Sequence, residues 1–599
     1  MADANLVFRP YMALLPVGGL YLATLWRLVA LQVLPQPEAE QTVRDIVGNE
    51  VILQAPRGTL LDRNGLVLAE DRPGWTLLMD APAATRRWLQ ERERDGGMAS
   101  QIRAQVAIDQ LAQAAGGDSR AWERSILDAA VTRRVLARDL TEIEAARVRV
   151  ALEECGGNGL RLERTWRRAY PQGRSLAHVV GLPGSADGAR RSSGLERTCE
   201  QDLANENGLR RALRVAGDHG MDPMMGFEPM GEAASVQTTL DAALAAFSRE
   251  ELMSARNKYR AESACAVAID VRTGEVLLIE AVPDYDPNAP GVGMEERKTK
   301  KGKETLGWML PALWPLEPGS TVKPFVVAAA LQAGVLSENE RFENHGGAWH
   351  LPKSKRVIHN ASEVPSHSMT PHEVLQYSSN IGAAQIGMRL GSARMRALWT
   401  DLGIHQGSGL DVFDQERGLF PSEADWNHPN ANSWCVASTA FGHALSLTPL
   451  RLSLAWACLV NGGLLLEPRW FMNQPRQPGK RIFDAAVAKK VTGWVESVVS
   501  GRKDDVLPKW DDLRWGGKSG TAKKTHTDGY TTFFVAFGPV EVPEVVVVVV
   551  VENPTAGKVR GSLMCGPAAG KILRRALELR GSRPAPLDSA SPRAKVPSR

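Results

Sequence analysis

Seven valines in a row, Val545 to Val551, leave a chain little choice of structure. β-Branched side chains are stiff at χ1 and favour extended backbone. A run with no polar residue on either face cannot sit half in water, so it predicts a strand covered on both sides. Another apolar run, FFVAFGPV (533–540), precedes it across a proline-containing turn. Far upstream, ACAVAIDVRTGEVLLIE (264–280) reads as two apolar runs around Arg-Thr-Gly, a hairpin signal. A mostly helical stretch to Asn461 lies between these runs, and a last helix is predicted from about Pro567 to Leu579. Strands at both ends with helices between them imply one sheet joining the two ends, with helices on its faces. Residues 236–579 therefore read as one α+β domain.

At 599 residues the chain should hold two or three domains. Residues 11–34, YMALLPVGGLYLATLWRLVALQVL, match the ~20 apolar residues of a membrane helix. Arg27 lies near the far end, where it can snorkel, and Trp26 suits the interface. The ten residues before this run, with Arg9 and the terminal amine, read as a cytoplasmic tail, which places the rest outside the cytoplasm. Residues 35–235 are charged, arginine-rich and broken by glycine and proline, as in an extended domain of short strands and helices. Residues 580–599 carry the proline, serine and arginine of a disordered tail. A net charge of +4, without a basic cluster interleaved with aromatics, does not suggest a nucleic-acid partner. Cys265, Cys435, Cys458 and Cys565 sit in apolar contexts and read as buried thiols, while Cys155 and Cys199 could pair.

The chemistry is concentrated in three short patterns. In EPGSTVKPF (317–325), Ser320 reads as a cap residue and Pro324 as a first-turn residue of a helix that runs to Gly334. On it Ser320 and Lys323 share one face, so a lysine deprotonated by burial would stand beside a serine hydroxyl as base beside nucleophile. Ser378-Ser379-Asn380 follows, and then Lys518-Ser519-Gly520-Thr521. Three other patterns fail. Gly517-Lys518-Ser519 lacks the first glycine of a phosphate loop, because residue 512 is aspartate. His372-Glu373 is followed by Gln376 where a zinc-protease helix needs its second histidine. Glu423-Ala-Asp-Trp-Asn427 matches a β-lactamase loop only by chance.

The ordered set S-x-x-K, S-x-N, K-[ST]-G resembles that of the class B penicillin-binding proteins, the peptidoglycan D,D-transpeptidases. The likeness extends over about residues 11 to 578. LWRLVALQVL resembles the end of the family's anchor, and APRGTLLDRNGLVLA (55–69) resembles its opening pedestal motif. RRAYPQG, AHVVGLPG and SGLE (193–196) follow in the family's order. SVQTTLD (235–241), VPDYDPN (282–288), FGHALSLTPLRLSLAWACLVNGG and VVENPTAGK complete the match. Two departures stand out. ERKTKKGKETLGWMLPALWPL replaces the usual approach to the nucleophile, and Gly442-His443-Ala444 replaces Gly-Tyr-Gly. His443 reads there as a packing residue, with titration the alternative.

The resemblance implies a single-pass protein of the cytoplasmic membrane. Its pedestal (35–235) would carry no chemistry, and its transpeptidase domain (236–579) would face the periplasmic side. It implies that Ser320 attacks the D-Ala-D-Ala bond of a stem peptide and that Lys323 acts as base. Ser378 would relay a proton, and Asn380 would hold Lys323 and the substrate amide. Lys518, Ser519, Gly520 and Thr521 would bind substrate, with Lys518 and Thr521 on its carboxylate, and Gly520 would leave room for it beside the strand. The N–H groups of Ser320 and Thr521 would form the oxyanion hole. No metal or organic cofactor is implied. β-Lactams are implied as covalent inhibitors, and a polytopic glycosyltransferase and other division proteins as membrane partners. Details around all three motifs are closer to the septal branch than to the elongation branch. A penicillin-binding sensor and a serine hydrolase (a carboxypeptidase or β-lactamase) stay open as alternatives.

Overall fold

The computed structural model describes residues 16, 18–29, 56–79, 85, 86, 90, 98–128, 134–155, 159–184, 192–204, 234–290, 296–299, 302–305, 311–352, 354–361, 363, 364, 366–407, 418–428, 435–501, 506–524 and 528–581. Of the expected membrane segment, residue 16 and residues 18–29 are helical, with Leu20, Leu22 and Trp26 well exposed. No helix among the described residues is long and apolar enough to cross a membrane. The rest of that segment, and nearly all of the expected tail 580–599, lie outside the described residues.

The chain forms two compact units that do not follow chain order. One holds Asp71–Arg167; the other holds Arg57–Glu70, Arg168–Ala204 and Ala233–Arg599. A short strand β1 (Leu60–Leu61) pairs with the start of β2 (Val67–Met79). In the first unit, β2 continues beside β3 (Arg134–Leu140), with α1 (Met98–Ala115), α2 (Ser119–Leu127) and α3 (Glu142–Cys155) and the strand β4 (Leu160–Ala169). Its core gathers Leu77, Met79, Ile108, Leu111, Trp122 and Val148.

In the second unit β5 (Val236–Gln237) lies parallel to β1, and Asp241 caps α4 (Ala242–Tyr259) through the Leu244 N–H. β6 (Ser263–Asp270) and β7 (Val276–Val282) form the expected hairpin, turning at Gly274 with φ +71°. Then come α5 (Lys323–Gln332), a small hairpin of β8 (Ala348–His350) and β9 (Val357–His359), and α6 (Pro371–Gln376). α7 (Asn380–Leu390), α8 (Pro449–Val460) and α9 (Ala485–Ser500) follow. The chain closes with β10 (Gly516–Lys523), β11 (Tyr530–Gly538), β12 (Val545–Glu552) and α10 (Gly566–Leu579).

The main sheet has the antiparallel order β10-β11-β12-β6-β7, so both ends of the region meet in it as its sequence implies. The valine strand β12 is central, with every valine at 0% exposure. Alternation along β11 turns Phe537 to one face, where it stacks on Trp456 of α8 at 6.1 Å. Phe534 turns to the other, where Gly566 of α10 lies so close that a Cβ there would be 3.4 Å from its ring. Helices on both faces explain why the strand needs no polar side.

The scattered arginine-rich motifs converge in this unit. Arg57 and Arg168 both bind the buried Glu196, at 2.7 and 2.6 Å. Asn288 bonds both backbone groups of Tyr170, at 2.9 and 3.0 Å. All six cysteines are buried and none is in a disulfide, so Cys155 and Cys199 are not bridged.

Candidate active site

The three motifs meet at the edge strand β10. Ser320 lies in a single 3-10 turn, Gly319–Val322, that runs directly into α5. The Lys323 N–H donates to the Ser320 carbonyl. This differs from a helix capped by Ser320: no side chain caps α5, and the serine sits one tight turn earlier. The turn serves the pairing better than a cap would, because side chains three apart on a 3-10 helix eclipse one another. Ser320 is half-buried, and among the described residues its hydroxyl makes no hydrogen bond. The turn is fixed by Thr321, whose hydroxyl donates to the Pro318 carbonyl at 2.9 Å, and by Trp456, whose indole N–H donates to the Thr321 carbonyl at 3.1 Å.

Three backbones pass at contact here, which accounts for three glycines. A Cβ on Gly442 would stand 1.9 Å from the Gly319 oxygen, and one on Gly319 would stand 3.2 Å from the Thr521 nitrogen. A Cβ on Gly520 would stand 2.6 Å from the Pro318 oxygen. Thus the space beside Gly520 is filled by the turn that carries Ser320.

Lys323 and Lys518 are both at 0% exposure, and among the described residues no carboxylate meets either ammonium. Lys323 Nζ donates to the Ser378 carbonyl at 2.6 Å, to Asn380 Oδ1 at 2.7 Å and to Ser378 Oγ at 3.4 Å. Lys518 Nζ donates to Ser378 Oγ at 2.8 Å and to the Ser519 carbonyl at 3.1 Å. Burial, followed by the neighbouring Lys518 charge, drives Lys323 well below the usual lysine range. Burial alone lowers Lys518 to about 7. Ser519 and Thr521 alternate to the other face of β10, both half-buried, and Thr521 Oγ1 accepts from the Gly561 N–H at 3.2 Å. The structure thus gathers Lys323, Ser378, Asn380 and Lys518 into one hydrogen-bonded cluster, with Ser320 one turn from Lys323 and Thr521 beside the turn.

Two features of the site had no signal in the sequence. Asn360 and His359 bind the start of α7, although no spacing singled them out. Glu317 holds the neighbouring loop, its carboxylate accepting from the Ala444 N–H and bonding His443 Nδ1, each at 3.2 Å. His443 also packs edge-on against Phe441, at 5.4 Å. The rejected zinc-protease and β-lactamase patterns have ordinary roles. Glu373 closes a capping box with Thr370 at the start of α6, and His372 bonds Ser497 Oγ at 2.9 Å and stacks on Trp494. Glu423 pairs with Arg396 at 2.9 Å.

A fold of this kind with these motifs defines a penicillin-interacting serine acyltransferase domain. Residues 264–577 match the penicillin binding protein transpeptidase domain, and residues 52–219 match the penicillin-binding protein dimerisation domain. The probable peptidoglycan D,D-transpeptidase PenA of Neisseria gonorrhoeae is 30% identical over 91% of this chain and 88% of its own length. Peptidoglycan D,D-transpeptidase FtsI of Escherichia coli is 28% identical over 69% of this chain and 68% of its own length. Among solved structures, a peptidoglycan synthetase from Bifidobacterium adolescentis superposes with TM-score 0.63 at 19% identity, covering 91% of this chain and 98% of that one. The chain belongs to the class B penicillin-binding proteins.

Proposed function

We propose that the chain is a peptidoglycan D,D-transpeptidase that crosslinks stem peptides through a serine acyl-enzyme in septal wall synthesis. The observation that carries this reading is the pair of buried lysines sharing the Ser378 hydroxyl beside the Ser320 turn. Neutral Lys323 takes the Ser320 proton as the hydroxyl oxygen attacks the carbonyl between the last two D-alanines. The developing oxyanion is received by the N–H groups of Ser320 and Thr521. Ser378 hands a proton to the departing D-alanine amine, Asn380 holds Lys323 and the substrate amide, and Lys518 and Thr521 receive the carboxylate. Ser519 and Gly520 complete the strand along which the peptide lies. An amine of a second stem peptide then attacks the ester and regenerates Ser320. β-Lactams enter by the same attack and stop at the ester.

The septal role is supported by the likeness to FtsI and PenA. A single membrane anchor over 11–34 is supported by its apolar run and by the exposed apolar side chains of helical residues 18–29. On this reading 35–235 is a pedestal and 236–579 the catalytic domain on the outer side of the cytoplasmic membrane. Glycan polymerisation falls to a polytopic glycosyltransferase partner. Fluorescent-penicillin labelling of the purified protein tests the site. A long-lived label that Ser320→Ala abolishes is expected; rapid turnover of label would make the chain a hydrolase, and no label on folded protein a scaffold.

A further inference from the structure

The S-x-N triplet is held by a feature that belongs to none of the three motifs. The β8–β9 hairpin buries Leu351 and Ile358 against Ile381 and Ala384 of α7 and against Ala437, in an apolar cluster separate from the main core. At the foot of this hairpin, Asn360 Oδ1 accepts from Ser379 Oγ at 3.1 Å, the Asn380 N–H at 2.8 Å and the Ile381 N–H at 3.2 Å. The latter two are first-turn donors of α7, which no helical carbonyl can serve. Asn360 is itself held, since its Nδ2 donates to Asn344 Oδ1 at 2.6 Å. The adjoining His359 carbonyl accepts from Asn380 Nδ2 at 2.9 Å. A carbonyl can only accept, so the Asn380 amide must turn its nitrogen to His359 and its oxygen to Lys323. Just upstream, Ser378 holds φ at +59°, a left-handed conformation that a residue with a Cβ keeps only where its surroundings enforce it. That conformation accompanies the contact of its carbonyl with Lys323.

We infer that Asn360 is a positioning residue for acylation: by clamping the start of α7 it fixes Ser378 in its left-handed conformation and Asn380 with its oxygen towards Lys323. This rests on the reading of Ser320 as nucleophile and Lys323 as its base. Without the clamp, three donors lose their acceptor and Ser378 relaxes to ordinary backbone, turning acceptors away from Lys323. An ammonium with fewer acceptors gives up its proton more readily, so Lys323 becomes neutral at lower pH. An aspartate at 360 keeps the acceptor and adds a negative charge behind Asn380, so Lys323 becomes neutral at higher pH. Lys518 is the charged group that acts on Lys323 among the described residues, and neither substitution removes it.

The test is the second-order rate constant for acylation by fluorescent penicillin from pH 5 to 9, measured on the full chain. Wild type, Asn360→Ala, Asn360→Asp and Ser320→Ala are compared, with thermal melting alongside. Asn360→Ala should acylate about 10²-fold more slowly, the scale of a 1 Å misplacement, and the rising limb of its pH profile should move down. Asn360→Asp should keep more of the rate, with the rising limb moved up. A loss of rate with unmoved limbs, or no change in either variant, would overturn the inference. Should Asn360→Ala not fold, the limb of Asn360→Asp decides alone. Labelling that survives in Ser320→Ala would instead overturn the assignment of the nucleophile, wherever the limbs lie.

Discussion

Lys518 Nζ lies 2.8 Å from Ser378 Oγ, and Lys323 reaches the same oxygen at 3.4 Å. With Lys518 donating, the serine oxygen is an acceptor and its own proton is left to point at substrate. A serine so placed can give a proton to a leaving amine and recover one from a lysine. On the proposed mechanism the two lysines need opposite charge states, Lys323 neutral as base and Lys518 charged for a carboxylate.

This opposition sets the pH profile. Acylation at low β-lactam concentration should rise as Lys323, lowered by burial and then by Lys518, loses its proton. It should fall as Lys518 loses its own near pH 7 in the free protein. A saturating β-lactam should move the falling limb upward, because its carboxylate holds the Lys518 proton. Lys518→Arg should remove the falling limb below pH 9 while lowering the rate, since a guanidinium stays charged. Rate constants for single-turnover acylation check this; a falling limb unchanged in Lys518→Arg would assign it to another group.

Gly520 is tested by size alone. Its Cβ would stand 2.6 Å from the Pro318 oxygen and 2.9 Å from Thr321 Cγ2, neither the end of a long flexible side chain. Gly520→Ala should therefore push the Ser320 turn off β10. An acylation rate lower by roughly 10²-fold is expected in a protein that still folds. Near-normal labelling would show that turn and strand can separate without harm.

Ala444 holds φ at +57°, where a Cβ costs about 1–2 kcal/mol. The Glu317 carboxylate keeps it there by accepting its N–H. Ala444→Gly should relieve the strain and raise stability by about 0.5–1 kcal/mol after glycine's extra unfolded-state entropy is set against it. Chemical denaturation measures the gain, and acylation should be unchanged.

Much of this arrangement was legible beforehand because its signals are local. Seven valines demand a two-sided covering, Arg-Thr-Gly between apolar runs makes a hairpin, and Ser320 three before Lys323 puts two side chains in line. What stayed hidden is long-range. Arg57 reaches Glu196 across 139 positions, and no periodicity marks either as a partner of the other. Asn360 looks like any loop asparagine until the fold brings its amide to the first turn of α7, 20 positions on. The mistaken cap at Ser320 has a different cause: Pro-Gly followed by serine suits either an N-cap or a 3-10 turn. The close passage of Gly442 and Thr521 accompanies the tighter form.

Glu280 on β7 offers a test away from the chemistry. It is 1% exposed, and its carboxyl accepts from the Leu176 N–H at 2.8 Å and the Ala281 N–H at 3.3 Å. Burial, aided by the Asp284 charge and opposed by those N–H groups, raises it to about 8. A carboxyl whose pKa is higher folded than unfolded contributes stability that is present below the unfolded value. That stability is lost as pH climbs through the folded value. Wild type should therefore weaken between about pH 5 and 8, by roughly 1–3 kcal/mol from this group at pH 7. Glu280→Gln, neutral throughout and similar in shape to the protonated acid, should match or slightly trail wild type at pH 5. It should exceed wild type at pH 8, so that the two stability curves cross. Melting temperatures across this range decide it: parallel curves would mean that Glu280 is already ionised in the folded protein, with the nearby Arg249 outweighing its burial.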